Sequence, residues 1–139
     1  MGTSIRDAMT AEPCAIDADK PVAYAAKMMT DEDVGLAPIV EGDKLVGTVT
    51  DRDIVTRVVA VGKDPEATLV RDVASQDVVT VGPEQALDEA LNLMAQHQVR
   101  RLPVVDDDGS LVGVVSQGDV AVHAEAAKTG GMVEEISEN

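Results

Sequence analysis

The sequence predicts a mixed α/β (α+β) chain built from two tandem copies of one β-α-β-β-α unit, packed as a pseudo-two-fold pair. Three observations lead there. The first is an internal repeat. Leu36-Ala-Pro-Ile-Val40 and Arg101-Leu-Pro-Val-Val105 read alike, and their prolines stand 65 residues apart. The same shift pairs Arg6-Asp7 with Arg71-Asp72, Ala25 with Ala90, Met29 with Met94 and Val34 with Val99. One extra residue in the Asp106-Asp107-Asp108 turn makes the shift 66. It then pairs Leu45-Val46-Gly47 with Leu111-Val112-Gly113, Val49 with Val115 and Asp53 with Asp119. A register held over that length marks a structural repeat. The second observation is that each copy holds one apolar pattern at helical spacing, followed by two strand-like runs around a tight turn. The third is composition. Hydrophobic residues make up 45% of the chain and Tyr24 is the only aromatic. The core must come from Val, Leu, Ile, Ala and Met, and β-branched residues favour strands.

Taken in order, each copy opens with a turn of helix, predicted at 4–9 and 70–74, and a short extended piece, at 14–17 and 78–82. An amphipathic helix follows. Val22, Ala25, Ala26 and Met29 mark it in copy one, and Leu87, Ala90, Leu91 and Met94 in copy two. Met28, Met29 and Met94 read as core or interface filler. Two strands come next, predicted at 37–41 and 44–50 around Gly42-Asp43, and at 102–106 and 110–116 around Asp108-Gly109. Such dipeptides between apolar runs signal hairpins. A closing helix is predicted at 51–61 and at 118–127, with Asp51 and Ser116 as N-caps. The organisation expected is repeat 1 over 1–62, a connector over 63–69, repeat 2 over 70–127 and a disordered acidic tail over 128–139. One unit of this size buries little by itself, so two should share a core, and a cleft between similar units is a natural ligand site.

The charge excludes several classes. The formal net charge is −15, from 26 acidic and 11 basic residues. No basic stripe is present, so nucleic acid and anionic membrane surfaces are not expected partners. Cys14 is the single cysteine. It excludes an internal disulfide and a CxxC-type zinc site, and reads as a small buried hydrophobe. His97 and His123 have no second ligand at metal spacing, so no metal site is expected. No apolar run reaches the roughly 18 residues of a membrane span, and the first residues lack a signal-peptide core. A cytoplasmic protein is expected. No nucleophile–base arrangement, paired-carboxylate pocket or Walker-type loop is present, so no enzyme is expected.

The run Gly47-Thr-Val-Thr50-Asp-Arg-Asp53 recurs as Gly113-Val-Val-Ser116-Gln-Gly-Asp119. With the β-α-β-β-α repeat and the proline of the first hairpin strand, it resembles CBS domains over about residues 4–126. The chain looks like a free-standing tandem pair, or Bateman module. Thr50-Asp-Arg-Asp-Ile54 is similar to the small bacterial members, including hypoxia- and stress-response types. The resemblance implies a regulatory sensor that binds AMP, ADP, ATP or S-adenosylmethionine between the repeats and transmits this to an unidentified regulated protein. It leaves room for Mg²⁺ beside a di- or triphosphate. It also implies a homodimer, a disc of four repeats formed through the closing helices. Ile54-Val55 and Val58-Val59 supply an apolar stripe for that face, as do Val120-Ala121 and Ala124.

Two clefts are implied. One would use Ser116 and Asp119, with Thr10, Cys14, Ala15, Val34 and Gly35 around the base. The other would use Thr50 and Asp53, with Ser75, Val79, Thr80 and Val99. A carboxylate can accept from two vicinal ribose hydroxyls at once, and its charge strengthens both bonds. Phosphate contacts in the family come from basic residues before the Leu-Pro strand. Copy two has Arg100-Arg101 there and copy one has Gly35-Leu36, so the Asp119 cleft is the better anion site. The Asp53 cleft would depend on Arg52 or Arg100.

Plainer readings compete at each position. Asp53 and Asp119 could serve as first-turn acids favoured by the helix dipole, and Thr50 and Ser116 could equally be helix caps. Arg100 and Arg101 could pair with surface carboxylates, and Arg52 with Asp51 or Asp53. The alternative to the sensor is a structural or interaction module of the same fold with empty clefts.

Overall fold

The computed structural model describes residues 3–11 and 13–123. The expected tail and the end of the last helix lie outside the described residues. The elements are α1 (Ile5–Ala8), β1 (Thr10–Ala11), β2 (Ile16–Asp17), α2 (Val22–Glu32), β3 (Leu36–Glu41) and β4 (Lys44–Thr50). Next come α3 (Asp51–Ile54), which runs into a π-helical turn (Val55–Val59), then α4 (Val70–Val73), α5 (Leu87–His97), β5 (Arg101–Val105) and β6 (Leu111–Ser116). Residues 117–123 are helical and form α6.

The strands make two three-stranded sheets, ordered β2-β3-β4 and β1-β6-β5. β3 and β4 are antiparallel around Gly42, whose φ of 62° suits the turn. β2 runs parallel to β3, with Ile16 opposite Ile39. Copy two keeps only a vestige of that pairing, a parallel bridge of Val81 to Val104. Pro38 and Pro103 are both buried in strands. Thr48, opposite Pro38, turns its N–H away to the Ser75 carbonyl at 3.0 Å. The missing N–H of Pro38 therefore removes no bond to β4.

Two compact units result, and they do not follow the repeats. One, the α2 unit, takes residues 13–78 and 108–111. The other, the α5 unit, takes the described residues of 1–12, 79–107 and 112–139. The reason is backbone hydrogen bonding. In the α5 unit, Ile5 N donates to Gln85 O and Arg6 N to Pro83 O, both at 2.8 Å, and β1 lies antiparallel to β6 with Thr10 opposite Val114. In the α2 unit, Val70 N donates to Lys20 O at 2.9 Å, and Thr48 and Ser75 exchange both of their backbone bonds. The tip of the second hairpin joins the first. Leu45 N donates to Gly109 O, Leu111 N to Asp43 O, and Lys44 Nζ to Asp108 O at 2.7 Å.

The cores mirror one another. The α2 unit buries Ile16, Val22, Ala25, Met29, Ile39, Val49, Val58, Val70 and Val73. The α5 unit buries Val81, Leu87, Ala90, Met94, Val104, Val115, Ile5 and Ala8 at corresponding positions. Each fully buried aliphatic side chain contributes about 1.5–3 kcal/mol. Both long helices stop in one way. Asp33 (φ 55°) and Gln98 (φ 56°) are left-handed, and Val34 N and Val99 N reach back to Met29 O and Met94 O, each at 3.0 Å. This is the Schellman closure, and it seats Val34 and Val99 against the cores.

Gly47 and Gly113 mark close backbone approaches. A Cβ at Gly47 would stand 2.8 Å from Ser75 O, and one at Gly113 would stand 2.9 Å from Thr10 O.

Candidate functional site

The Gly-x-x-Thr-x-x-Asp run of copy one ends β4 and starts α3. Of the two expected candidates, Thr50 and not Asp51 is the N-cap. Its Oγ1 accepts from Asp53 N at 3.0 Å, while Asp53 Oδ2 accepts from Thr50 N at 2.9 Å, a reciprocal capping box. Asp51 has the φ/ψ of a helical residue, so its carboxylate turns to the Arg52 N–H instead, at 2.8 Å. The expected ion pair of Arg52 does not form among the described residues. Arg57 takes that role, with Nε 3.8 Å from Asp53 Oδ1. The pairing follows helical spacing, which brings residues four apart to one face and sets Arg52 off to the side. Arg57 Nη1 also donates to Val73 O at 3.0 Å. Ser75, two residues beyond Val73, is held by its double bond with Thr48. Thr50, Asp53 and Ser75 therefore share one unit, with Gly35 beside them because Asp51 N donates to Gly35 O at 3.0 Å.

The copy-two run has the same skeleton. Ser116 Oγ accepts from Asp119 N at 3.1 Å, which makes Ser116 the cap of α6. Gln117 N donates to Arg100 O at 2.7 Å, the counterpart of the Asp51–Gly35 bond. This bond anchors the Arg100 backbone beside the residues that carry Ser116 and Asp119. Arg100 is exposed and Arg101 half-buried, and neither guanidinium has an ion-pair partner among the described residues. Arg6 and Arg71 do pair, Arg6 with Glu84, and Arg71 with Asp19 and Glu41. Thr10 belongs to this unit through its pairing with β6. Val79, Thr80 and Val99 belong to it as well and are half-buried.

Cys14, Ala15, Val34 and Gly35, expected around the Asp119 ligand, belong to the α2 unit. Cys14 is exposed, which corrects its reading as a buried hydrophobe. Sequence alone suggested burial because small apolar-like thiols are usually inside, but this one precedes the short β2 and meets the polar end of α2. Partial desolvation, and then the charge and hydrogen bonding of Glu32, push its thiol pKa above the ordinary value. A hollow of about 480 Å³ in the α2 unit is lined by Met29, Val34, Gly35, Asp51, Ile54 and Val55. Among the described residues no group of three or more His, Cys, Asp or Glu is placed to hold a metal, and no helix is long and apolar enough to cross a membrane.

Sequence reasoning missed Arg57. Its position four residues after Asp53 was the available signal. The stripe Ile54-Val55 and Val58-Val59 also divides. Val58 is buried and Ile54 half-buried, while Val55 and Val59 are 57% and 64% exposed. The π-helical turn, with Ala60 N bonded to Val55 O and Lys63 N to Val58 O, carries this segment.

Comparison with known proteins shows which family the chain resembles. The CBS domain family model matches residues 5–60 and again 70–125. CBS domain-containing protein YhcV of Bacillus subtilis is 40% identical over 129 residues, covering 93% of this chain and 91% of that protein. Hypoxic response protein 1 of Mycobacterium tuberculosis is 37% identical, covering 87% and 85%. A crystal structure of hypoxic response protein I with two coordinated zinc ions matches at a TM-score of 0.80 and 37% identity, covering 87% of this chain and 98% of the other. CBSX2 in complex with AMP matches at 0.78 and 26% identity, covering 91% and 99%. The CBS domain pair of protein MJ0100, in complex with 5′-methylthioadenosine and S-adenosyl-L-methionine, matches at 0.75 and 26% identity, covering 86% and 97%. With both repeats matched and the doubled motif in place, the chain belongs to the CBS-domain family.

Proposed function

We propose that the chain is a regulatory, non-catalytic CBS pair of the cytoplasm that binds an adenosine-type ligand, with Ser116, Asp119, Arg100 and Arg101 as its principal ligand-binding residues and the two arginines as its phosphate contacts. The observation that carries this reading is the Gln117–Arg100 bond. It holds the backbone of Arg100, and with it Arg101, beside the start of the helix that carries the motif acid, and both guanidiniums are unpaired among the described residues. In a chain of net charge −15, cations left without carboxylates are suited to phosphate, and a guanidinium fork matches its geometry. Asp119 would accept from the ribose hydroxyls. Thr10, in the same unit, would lie against the base. Thr50, Asp53 and Ser75 would form a second, weaker site without a cation at position 35. The adenosine ligands of CBSX2 and of the MJ0100 pair support the ligand class.

Regulation would follow from a ligand that binds two states of the assembly unequally. The outward Val55, Val59 and Val61 support a homodimer through the closing helix of copy one. Isothermal titration with AMP, ADP, ATP and S-adenosylmethionine, beside Asp119→Ala, tests the proposal. Binding to the wild type that is lost or reduced in the variant is expected. No heat and no rise in melting temperature with any of the four would refute it in favour of an interaction module. Light scattering should give twice the 14.5 kDa chain mass, and the monomer mass would refute the dimer.

A further inference from the structure

We propose that Arg57 is a positioning residue of the Asp53 site, holding the ribose acceptor and the wall that carries Ser75 as one body. This rests on the reading of Asp53 as a ligand acceptor. The Arg57 guanidinium has two attachments. Nε lies 3.8 Å from Asp53 Oδ1, and Nη1 donates to the Val73 carbonyl at 3.0 Å. Asp53 lies in α3 and Val73 ends α4, so one side chain ties two elements that are separate in sequence. Oδ2 of Asp53 is already fixed by Thr50 N at 2.9 Å. With Arg57 near Oδ1, the carboxylate has one defined plane. Each oxygen keeps lone-pair capacity for a hydroxyl donor.

Beyond Val73, Ser75 is locked to Thr48 by paired backbone bonds of 2.8 and 3.0 Å. Those bonds fix Ser75 to β4, and the Arg57 contacts add a second link, from Asp53 of α3 to the end of α4, along the same wall. The backbone carries Arg57 in a π-helical turn, a local departure from α geometry that is frequent at functional sites. Asp53 is 15% exposed while Arg57 is 51% exposed, so the acid is the more firmly lodged of the two. At the corresponding place in copy two stands His123, whose ring cannot present a guanidinium fork. The device is therefore specific to one site.

The test is calorimetry with adenosine and with AMP in an Asp119→Asn background, which isolates the Asp53 site, with Arg57→Gln and Asp53→Asn added singly. Arg57→Gln is expected to weaken adenosine and AMP by the same factor, about tenfold, the order seen when an orienting partner is lost. An unchanged adenosine affinity, whatever the melting temperature does, would reduce Arg57 to a structural ion pair and overturn the proposal. Loss for AMP alone would make Arg57 a direct phosphate contact, which also overturns it. If Arg57→Gln fails to fold, Arg57→Lys carries the test, because one ammonium cannot hold both oxygens and the same loss is expected. Binding to wild type but none in the Asp119→Asn background would overturn this inference and leave the sensor reading standing. No binding to wild type would overturn the sensor reading itself.

Discussion

One added methyl group at Gly47 is expected to destabilise the protein measurably. The Cβ of Gly47→Ala would lie 2.8 Å from Ser75 O and 3.4 Å from the Ala74 Cβ. Carbon–oxygen contacts normally sit at about 3.3–3.6 Å, so the overlap is about half an ångström. The obstructing atom is backbone, and that carbonyl is bonded to Thr48 N at 3.0 Å. Relief requires separating β4 from residue 75, which disturbs two hydrogen bonds of about 0.5–1.5 kcal/mol each. The cost is then about 1–3 kcal/mol, the range found for overpacked sites. For a chain of this size that lowers Tm by about 3–12 °C. Differential scanning calorimetry reads it directly. Gly82→Ala is the control, since its nearest neighbours lie at 3.6 Å or beyond and its φ is not positive. There the loss of unfolded-state freedom should leave Tm unchanged or slightly raised. A Gly47→Ala protein that melts with wild type, or a control that falls as far, would refute the reasoning.

Three further outcomes are expected. Ile39→Ala removes a fully buried side chain at the centre of the β2-β3-β4 sheet and should cost about 2–5 kcal/mol in urea unfolding. A loss under 1 kcal/mol would mean that the site collapses around the cavity. Thr50→Ala deletes the acceptor for Asp53 N and should lower the urea midpoint by about 0.5–2 kcal/mol equivalent, while Thr50→Ser retains the cap. Equal losses in both variants would rule out the hydroxyl as their cause. Glu32→Gln removes a negative charge and acceptor that raise the Cys14 pKa. Because a raised pKa means less thiolate at a given pH, the variant should alkylate faster with iodoacetamide below the thiol pKa and converge with wild type at high pH. A rate unchanged across the pH range would show that Glu32 does not act on the thiol.

The hairpins were legible because turn chemistry is local. Gly42-Asp43 and Asp108-Gly109 announce reversals, and the flanking apolar runs place Pro38 and Pro103 in buried strands. The long helices were legible from the spacing of Ala25 and Met29, and of Ala90 and Met94. What remained hidden depends on which distant segments meet. No local pattern says that Thr10 pairs with Val114 or Thr48 with Ser75, so the compact units could not be drawn from the repeat. The capping role went to Thr50 over Asp51 because the acid already lies within the helix, a one-residue distinction that propensity does not resolve. Arg57 was passed over for Arg52, since sequence adjacency to two acids looked stronger than helical spacing. The π-helical turn has no residue signature at all, and Val55 and Val59 within it are exposed while Val58 is buried.

The pairing of β1 with β6 sets a timetable for synthesis. Thr10 finds its partner at Val114, so nearly the whole chain must leave the ribosome before the first strand can be satisfied. At about 5–20 residues per second, the opening segment waits roughly 5–20 s with its amides unpaired and Ile5 exposed. The α2 unit is under less constraint. Its opening segment and β4 lie within residues 13–78, and only the turn at 108–111 arrives late. The nascent protein therefore has an order of assembly written into its strand pairing: β1 is made long before the strand that pairs with it.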